Sequence, residues 1–151
     1  MKLYLDTSAL VKLYVEEEGS PVVRSAVEQA SFVATSALAY VEARAAFVRR
    51  SYEKEISAAA YRTIKQDLDA DWHHYLVVEI TNSLILESAR LAEVHRLRAY
   101  DAVHLAAAKT VCGKLQDTFI FGCWDHRLEK AAIKEGLVPL RISKPVTGSE
   151  E

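Results

Sequence analysis

The sequence predicts an α/β fold in which a parallel sheet is covered by helices on both faces. Three observations predict it. Short, apolar, strand-favouring runs alternate with longer helical stretches along almost the whole chain. The helical stretches flanking each strand are amphipathic, which gives the sheet a cover on each side. The 151 residues suit one compact domain, and with 50% of them hydrophobic the chain can fill a sizeable core.

The elements follow in order. Residues 2–5 form an apolar strand ending at Asp6. Residues 7–18 read as a helix with Ala9, Leu10, Leu13 and Tyr14 on one face. Gly19-Ser20-Pro21 breaks it and opens a second helix, with Ser20 as N-cap and Pro21 at the first helical position. Phe32-Val33-Ala34 is a short strand. Ser36 is the expected N-cap of a helix to about residue 50, whose apolar stripe is Leu38, Val41, Ala45 and Val48. A long helix over 57–75 and a strand over 76–80 come next. Asn82 then opens a helix through Leu84, Leu91 and Val94. Residues 100–111 are an Ala-rich helix, 118–121 a strand, 125–135 a helix and 138–142 a last strand. The expected domain is 1–143. Residues 144–151, with Pro, Gly, Ser and two terminal acids, read as a flexible tail.

Composition narrows the function classes. No apolar run reaches the ~20 residues of a membrane helix. The N-terminus meets Asp6 too early for a signal peptide. The expected location is the cytoplasm. Cys112 and Cys123 have no zinc-ligand spacing and read as reduced thiols. A net charge of −2 argues against a protein that coats nucleic acid, though not against an enzyme with a local basic strip. No P-loop, GxGxxG or nucleophile elbow is present.

The placement of four acids carries more information. Asp6 and Asp125 follow strands, and sites in open α/β sheets form outside the carboxyl ends of strands. Asp101 opens the Ala-rich helix. Glu42, four residues after Leu38, borders the stripe taken as the buried face of its helix. Singly, an Asp before a helix reads as an N-cap, and Glu42 as a salt-bridge partner at the edge of the core. Jointly, the four point to one pocket. Two carboxylates ~4 Å apart repel by roughly 4 kcal/mol at an effective dielectric of 20. Convergence therefore demands protonation, basic neighbours or a metal. An all-oxygen set suits Mg²⁺ or Mn²⁺, which commonly handle phosphates.

The stretches Leu3-Tyr4-Leu5-Asp6-Thr7-Ser8-Ala9-Leu10, Tyr40-Val41-Glu42, Leu97-Arg98-Ala99-Tyr100-Asp101-Ala102-Val103-His104-Leu105-Ala106-Ala107-Ala108 and Phe121-Gly122-Cys123-Trp124-Asp125-His126-Arg127-Leu128, in that order, resemble PIN-domain ribonucleases. The match is closest to the VapC toxins of toxin–antitoxin pairs. The resemblance implies a three-layer α/β/α sandwich with a mainly parallel sheet. It implies a Mg²⁺- or Mn²⁺-dependent endoribonuclease that leaves 5′-phosphate and 3′-hydroxyl ends, and a cognate antitoxin partner. Carried over, Asp6, Glu42, Asp101 and Asp125 match the acidic quartet, with Asp6 and Asp101 as principal metal ligands. Ser8 matches a hydroxyl that orients the first acid, with Thr7 beside it. Cys123-Trp124 departs from the Thr or Ser that many relatives carry before the fourth acid.

His104, three residues after Asp101, has either a packing role or a supporting one at the site. Arg44, Arg49, Arg50, Arg96, Arg98, Lys109 and Arg127 are candidate phosphate contacts or simply solvated charges. Tyr14, Tyr40, Phe47 and Tyr52 suggest a homodimer surface on the early helices. Two rivals remain: a catalytically silent PIN scaffold that binds RNA or protein, and a receiver-like signalling domain. The latter lacks paired acids after the first strand, since Leu5 precedes Asp6.

Overall fold

Leu3 and Leu5 point into one hydrophobic core and Tyr4 into another, and this alternation sets the layers. The computed structural model describes residues 1–116 and 119–140. Five strands, β1 (Lys2–Leu5), β2 (Phe32–Ser36), β3 (Leu76–Val78), β4 (Phe119–Gly122) and β5 (Val138–Pro139), form one sheet in the order β3-β2-β1-β4-β5. Every ladder is parallel. Four helices, α1 (Thr7–Val11), α2 (Ser20–Gln29), α3 (Leu38–Tyr52) and α4 (Ala58–Trp72), cover the Leu3 and Leu5 face. Three more, α5 (Asn82–His95), α6 (Ala99–Leu115) and α7 (His126–Lys134), cover the Tyr4 face with Phe119 and Phe121. The expected three-layer sandwich is the fold observed.

The small residues of α6 explain its position. Ala102, Ala106, Ala107 and Ala108 are buried, so the helix backbone lies close on the sheet. That closeness brings Asp101 and His104 to the end of β1. The strand order places β1 between strands added in opposite directions. The crevice between β1 and β4 is thus a topological switch point, where open α/β sheets bind ligands.

Several elements differ from expectation. The first helix stops at Val11 rather than residue 18. Lys12, Leu13 and Tyr14 donate their N–H groups to carbonyls three residues back, at 3.0–3.1 Å, which winds the chain into tight turns. Ser20 is not an N-cap. Gly19 takes that position with φ +91°, and the buried Ser20 hydroxyl instead donates to Val15 O and accepts from Glu17 N. Ser36 ends β2, and Ala37 caps α3 in its place; the Ser36 hydroxyl still accepts from Leu38 N at 3.1 Å. The buried face of α3 is Ala39, Ala43 and Phe47, not the stripe Leu38, Val41, Ala45 and Val48. Val41, Ala45 and Val48 are exposed. Of the four aromatics assigned to a dimer surface, Phe47 is core, and Tyr14 and Tyr40 pack against that core and hydrogen-bond to Asp71 and Asp69; Tyr52 is 88% exposed. Cys123 is buried and Cys112 half-buried, both reduced. The expected tail 144–151 and the end of the last strand lie outside the described residues. Among the described residues, no helix is long and apolar enough to cross a membrane.

Candidate active site

Asp6 leaves β1 where its backbone N–H still donates to Gly122 O at the end of β4, at 3.0 Å. Its side chain is the N-cap of α1: Oδ1 accepts from Ala9 N at 2.9 Å and from the Ser8 hydroxyl at 2.7 Å. Ser8 Oγ also accepts from Trp124 N at 3.3 Å, so one hydroxyl ties the ends of β1 and β4 together. Asp125 caps α7, with Oδ1 accepting from Leu128 N at 2.9 Å. Both Asp residues are therefore caps, as the simpler reading held. Each cap uses one oxygen, however, and among the described residues no hydrogen bond reaches Asp6 Oδ2; Asp6, 4% exposed, lies on the wall of the cleft.

Asp101 sits in the first turn of α6 and is 5% exposed. Arg98, at the N-cap of the same helix, bridges two acids. Its Nε donates to Asp101 Oδ2 at 3.1 Å and its Nη2 to Asp125 Oδ2 at 3.3 Å. Glu42 reaches the same place from α3. Its Oε1 accepts from the Thr7 hydroxyl at 2.7 Å and pairs with His104 Nε2 at 3.0 Å. His104 is 1% exposed, and its Nδ1 lies 2.8 Å from the Tyr4 hydroxyl. Thr7 gives its own proton to Glu42, so it serves His104 Nε2 only as an acceptor, at 3.0 Å. The neutral imidazole that satisfies every partner carries its proton on Nε2 and accepts from Tyr4 at Nδ1.

One cleft of about 410 Å³ is lined by all four acids together with Thr7, Ser8, His104, Arg49, Arg98, Tyr100 and Trp124. Two larger concavities, of about 670 and 630 Å³, flank the β5 and β3 edges, and neither gathers such a set of charges. Sequence reasoning missed Tyr4, Tyr100 and Trp124 as neighbours of the acids. Tyr4 had a signal, since a Tyr on a fully buried strand needs a partner for its hydroxyl.

Electrostatics divides the quartet. Burial raises the Asp6 carboxyl above its ordinary value, and Asp101 adds to the rise, against His104, Ser8 and Ala9. Burial also raises Asp101, with Asp125 adding and Arg98 opposing. Glu42 moves the other way. Burial pushes it up, but the hydrogen bonds from His104 and Thr7, with the favourable electrostatics of His104, together outweigh that and lower it. Asp101 thus disfavours the charge on Asp6, Asp125 disfavours that on Asp101 with Arg98 between them, and Glu42 is a compensated neighbour. The carboxylate oxygens that line the cleft and the raised carboxyls of Asp6 and Asp101 fit a hard divalent cation. As the side chains stand, no three His, Cys, Asp or Glu groups among the described residues close on one point, so Arg98 and the carboxylates must shift to grip an ion.

A family model for the PIN domain matches residues 3–122. The chain belongs to the PIN-domain family. Its described sheet and seven helices are a PIN fold, and the acids lie at the end of that fold's sheet. Two PIN-domain relatives, Ribonuclease VapC45 of Mycobacterium tuberculosis (strain CDC 1551 / Oshkosh) and Ribonuclease VapC49 of Mycobacterium tuberculosis (strain ATCC 25618 / H37Rv), are each 31% identical over 134 residues. These alignments cover 89% of this chain and 91% of each relative. A solved toxin–antitoxin complex from Klebsiella pneumoniae has a chain similar to this one at TM-score 0.55 and 17% identity, covering 78% of this chain and 83% of that one. That likeness concerns the fold.

Proposed function

We propose that this PIN-domain protein is a Mg²⁺- or Mn²⁺-dependent endoribonuclease, the toxin of a toxin–antitoxin pair. One observation carries the proposal: Asp6, Glu42, Asp101 and Asp125 line one cleft at the β1–β4 switch point, where burial and neighbouring acids disfavour the charges of Asp6 and Asp101, a setting that favours a cation. Asp6 and Asp101 are the principal metal ligands in this reading, and Glu42 and Asp125 complete the set. When bound, the ion supplies charge to the scissile phosphate and to the attacking water.

The remaining chemistry belongs to the chain. Ser8 and Ala9 N fix Asp6 by one oxygen and leave the other for the cleft. Thr7 and His104 hold Glu42 ionised and in one rotamer, and Tyr4 holds His104 in the tautomer that donates to it. Arg49 on the cleft rim supplies a cation for an RNA phosphate. In-line displacement of the 3′-oxygen leaves 5′-phosphate and 3′-hydroxyl ends.

We also propose a homodimer and a basic antitoxin segment. The latter would set Arg or Lys against the acids.

Incubation of the purified chain with single-stranded RNA in Mn²⁺ tests the reading. Cleavage is expected, abolished by EDTA and by Asp6→Asn or Asp101→Asn, with 5′-phosphate ends. Cleavage that persists in EDTA overturns the metal mechanism. RNA binding without cleavage, in the presence of Mn²⁺, establishes the silent scaffold instead.

A further inference from the structure

Arg98 stands in a place that helix stability does not explain. It occupies the N-cap position of α6 and makes no side-chain cap bond there. Ser, Thr, Asp or Asn would serve that position better. A cation at a helix N-terminus also meets the positive end of the helix dipole. The guanidinium lies beside the starts of both α6 and α7, over the Tyr100 ring at 4.8 Å from its centroid. It is held by Asp101 Oδ2 and Asp125 Oδ2. These are two of the acids that the proposed function assigns to a metal. The side chain is 58% exposed, so the Tyr100 ring and the two carboxylates, and no core packing, hold it in this rotamer.

We propose that Arg98 is a displaceable internal cation. It bridges Asp101 and Asp125 in the metal-free protein, and it turns to the non-bridging oxygens of the scissile phosphate when a divalent ion takes the two carboxylates. The inference rests on the nuclease reading and adds a residue to it. Three features support the second position. A guanidinium matches the geometry of phosphate oxygens as well as that of carboxylates. Its guanidinium already reaches both Asp101 and Asp125 and lines the cleft they share, which puts it beside a phosphate bound at those acids. Arg49 flanks the same cleft, so Arg98 need not hold the RNA and is available for charge that develops during reaction.

The two roles move two measurements in opposite directions, which a purely structural ion pair would not do. In the full-length chain, Arg98→Gln removes a competitor of the metal. By titration calorimetry it should bind Mn²⁺ at least about tenfold more tightly than the parent. At saturating Mn²⁺ and saturating single-stranded RNA, the same variant should cleave more slowly, by about 100-fold in single turnover. Thermal melts confirm folding; an exposed Gln at this position is compatible with the helix. Equal Mn²⁺ affinity in parent and variant overturns the bridging role, and equal cleavage at saturating metal overturns the phosphate role. A variant that binds Mn²⁺ more weakly and melts lower makes Arg98 a structural pair, which also overturns the proposal. A parent that neither binds Mn²⁺ nor cleaves overturns the nuclease reading itself.

Discussion

Asp6 serves two ends with one side chain. Its Oδ1 caps α1, a local bond that costs the helix about 1 kcal/mol when lost. Burial and Asp101 disfavour its charge all the same. Asn keeps the cap and removes the charge, so Asp6→Asn should stabilise the fold in EDTA near pH 7.5 by on the order of 1 kcal/mol, read as a higher melting temperature. Asp101→Asn should do the same despite losing its charge pair with Arg98, because the guanidinium is 58% exposed and keeps Asp125 and water as partners. The sign of the pH dependence follows from the raised carboxyls. A folded state that holds the proton more tightly is favoured at low pH and loses that contribution as pH rises through the folded value. The gap between each variant and the parent should therefore vanish near pH 4 and widen above it. Melts of the three proteins across pH 4–8 check this, and a variant that melts below the parent at pH 7.5 returns Asp6 to its capping role alone, or Asp101 to its ion pair with Arg98 alone. Tyr4 offers a second test. Tyr4→Phe leaves His104 Nδ1 buried without a donor, which should lower stability by about 1–3 kcal/mol in urea unfolding. The same change should slow RNA cleavage, because Glu42 loses its fixed partner.

The alternation of strand and helix was legible, but the helix ends depended on contacts remote in sequence. Residues 7–18 have helical periodicity, yet α1 spans five residues. The Lys12 ammonium turns to Glu17 at 2.9 Å and lies over the Trp124 ring, 4.8 Å from its centroid, and these contacts favour a bent chain over a continued helix. Gly19 completes the bend. A Cβ there would stand 2.6 Å from the Trp124 ring, and its φ of +91° suits glycine. Gly19→Ala should therefore cost about 1 kcal/mol or more and displace Trp124 from the wall of the cleft. A shift in tryptophan emission with lowered stability is expected; unchanged emission would show that the indole is placed by other contacts. In α3 the periodicity admitted two faces. Phe47 decided between them, because the larger side chain gains more from burial and pulls Ala39 and Ala43 inward with it. That choice turned Val41, Ala45 and Val48 out to solvent.

On the scale of the molecule, the exposed apolar stripe of α3, ending at Tyr52, lies beside Glu42, Ala46 and Arg49 of the cleft. Exposed contiguous apolar surface of this kind favours a protein contact. The homodimer proposed above should use it. Val48→Asp is expected to shift the chain from dimer to monomer in sedimentation at tens of micromolar, with far-UV circular dichroism unchanged. A parent that sediments as a monomer at that concentration removes the homodimer from the reading. The proposed antitoxin contact should be salt-sensitive, since it would set basic residues against the carboxylates of the cleft.

The sequence by itself determined the layers and placed Asp6 and Asp125 after strands and Asp101 at a helix start, because strand polarity and helix starts are written within a few residues; Glu42 came through the resemblance, since Val41, Ala45 and Val48 of the stripe it was read against face solvent. It did not determine what those acids touch. His104 reaches Tyr4 across 100 positions and Glu42 across 62, and Arg98 reaches Asp125 across 27. Those pairings exist only after α6 packs on the sheet through its alanines and brings three chain segments to one crevice. Charge compensation is a property of distance in space. Only the tertiary structure could decide which acid is held ionised, which are raised, and which cation stands between them.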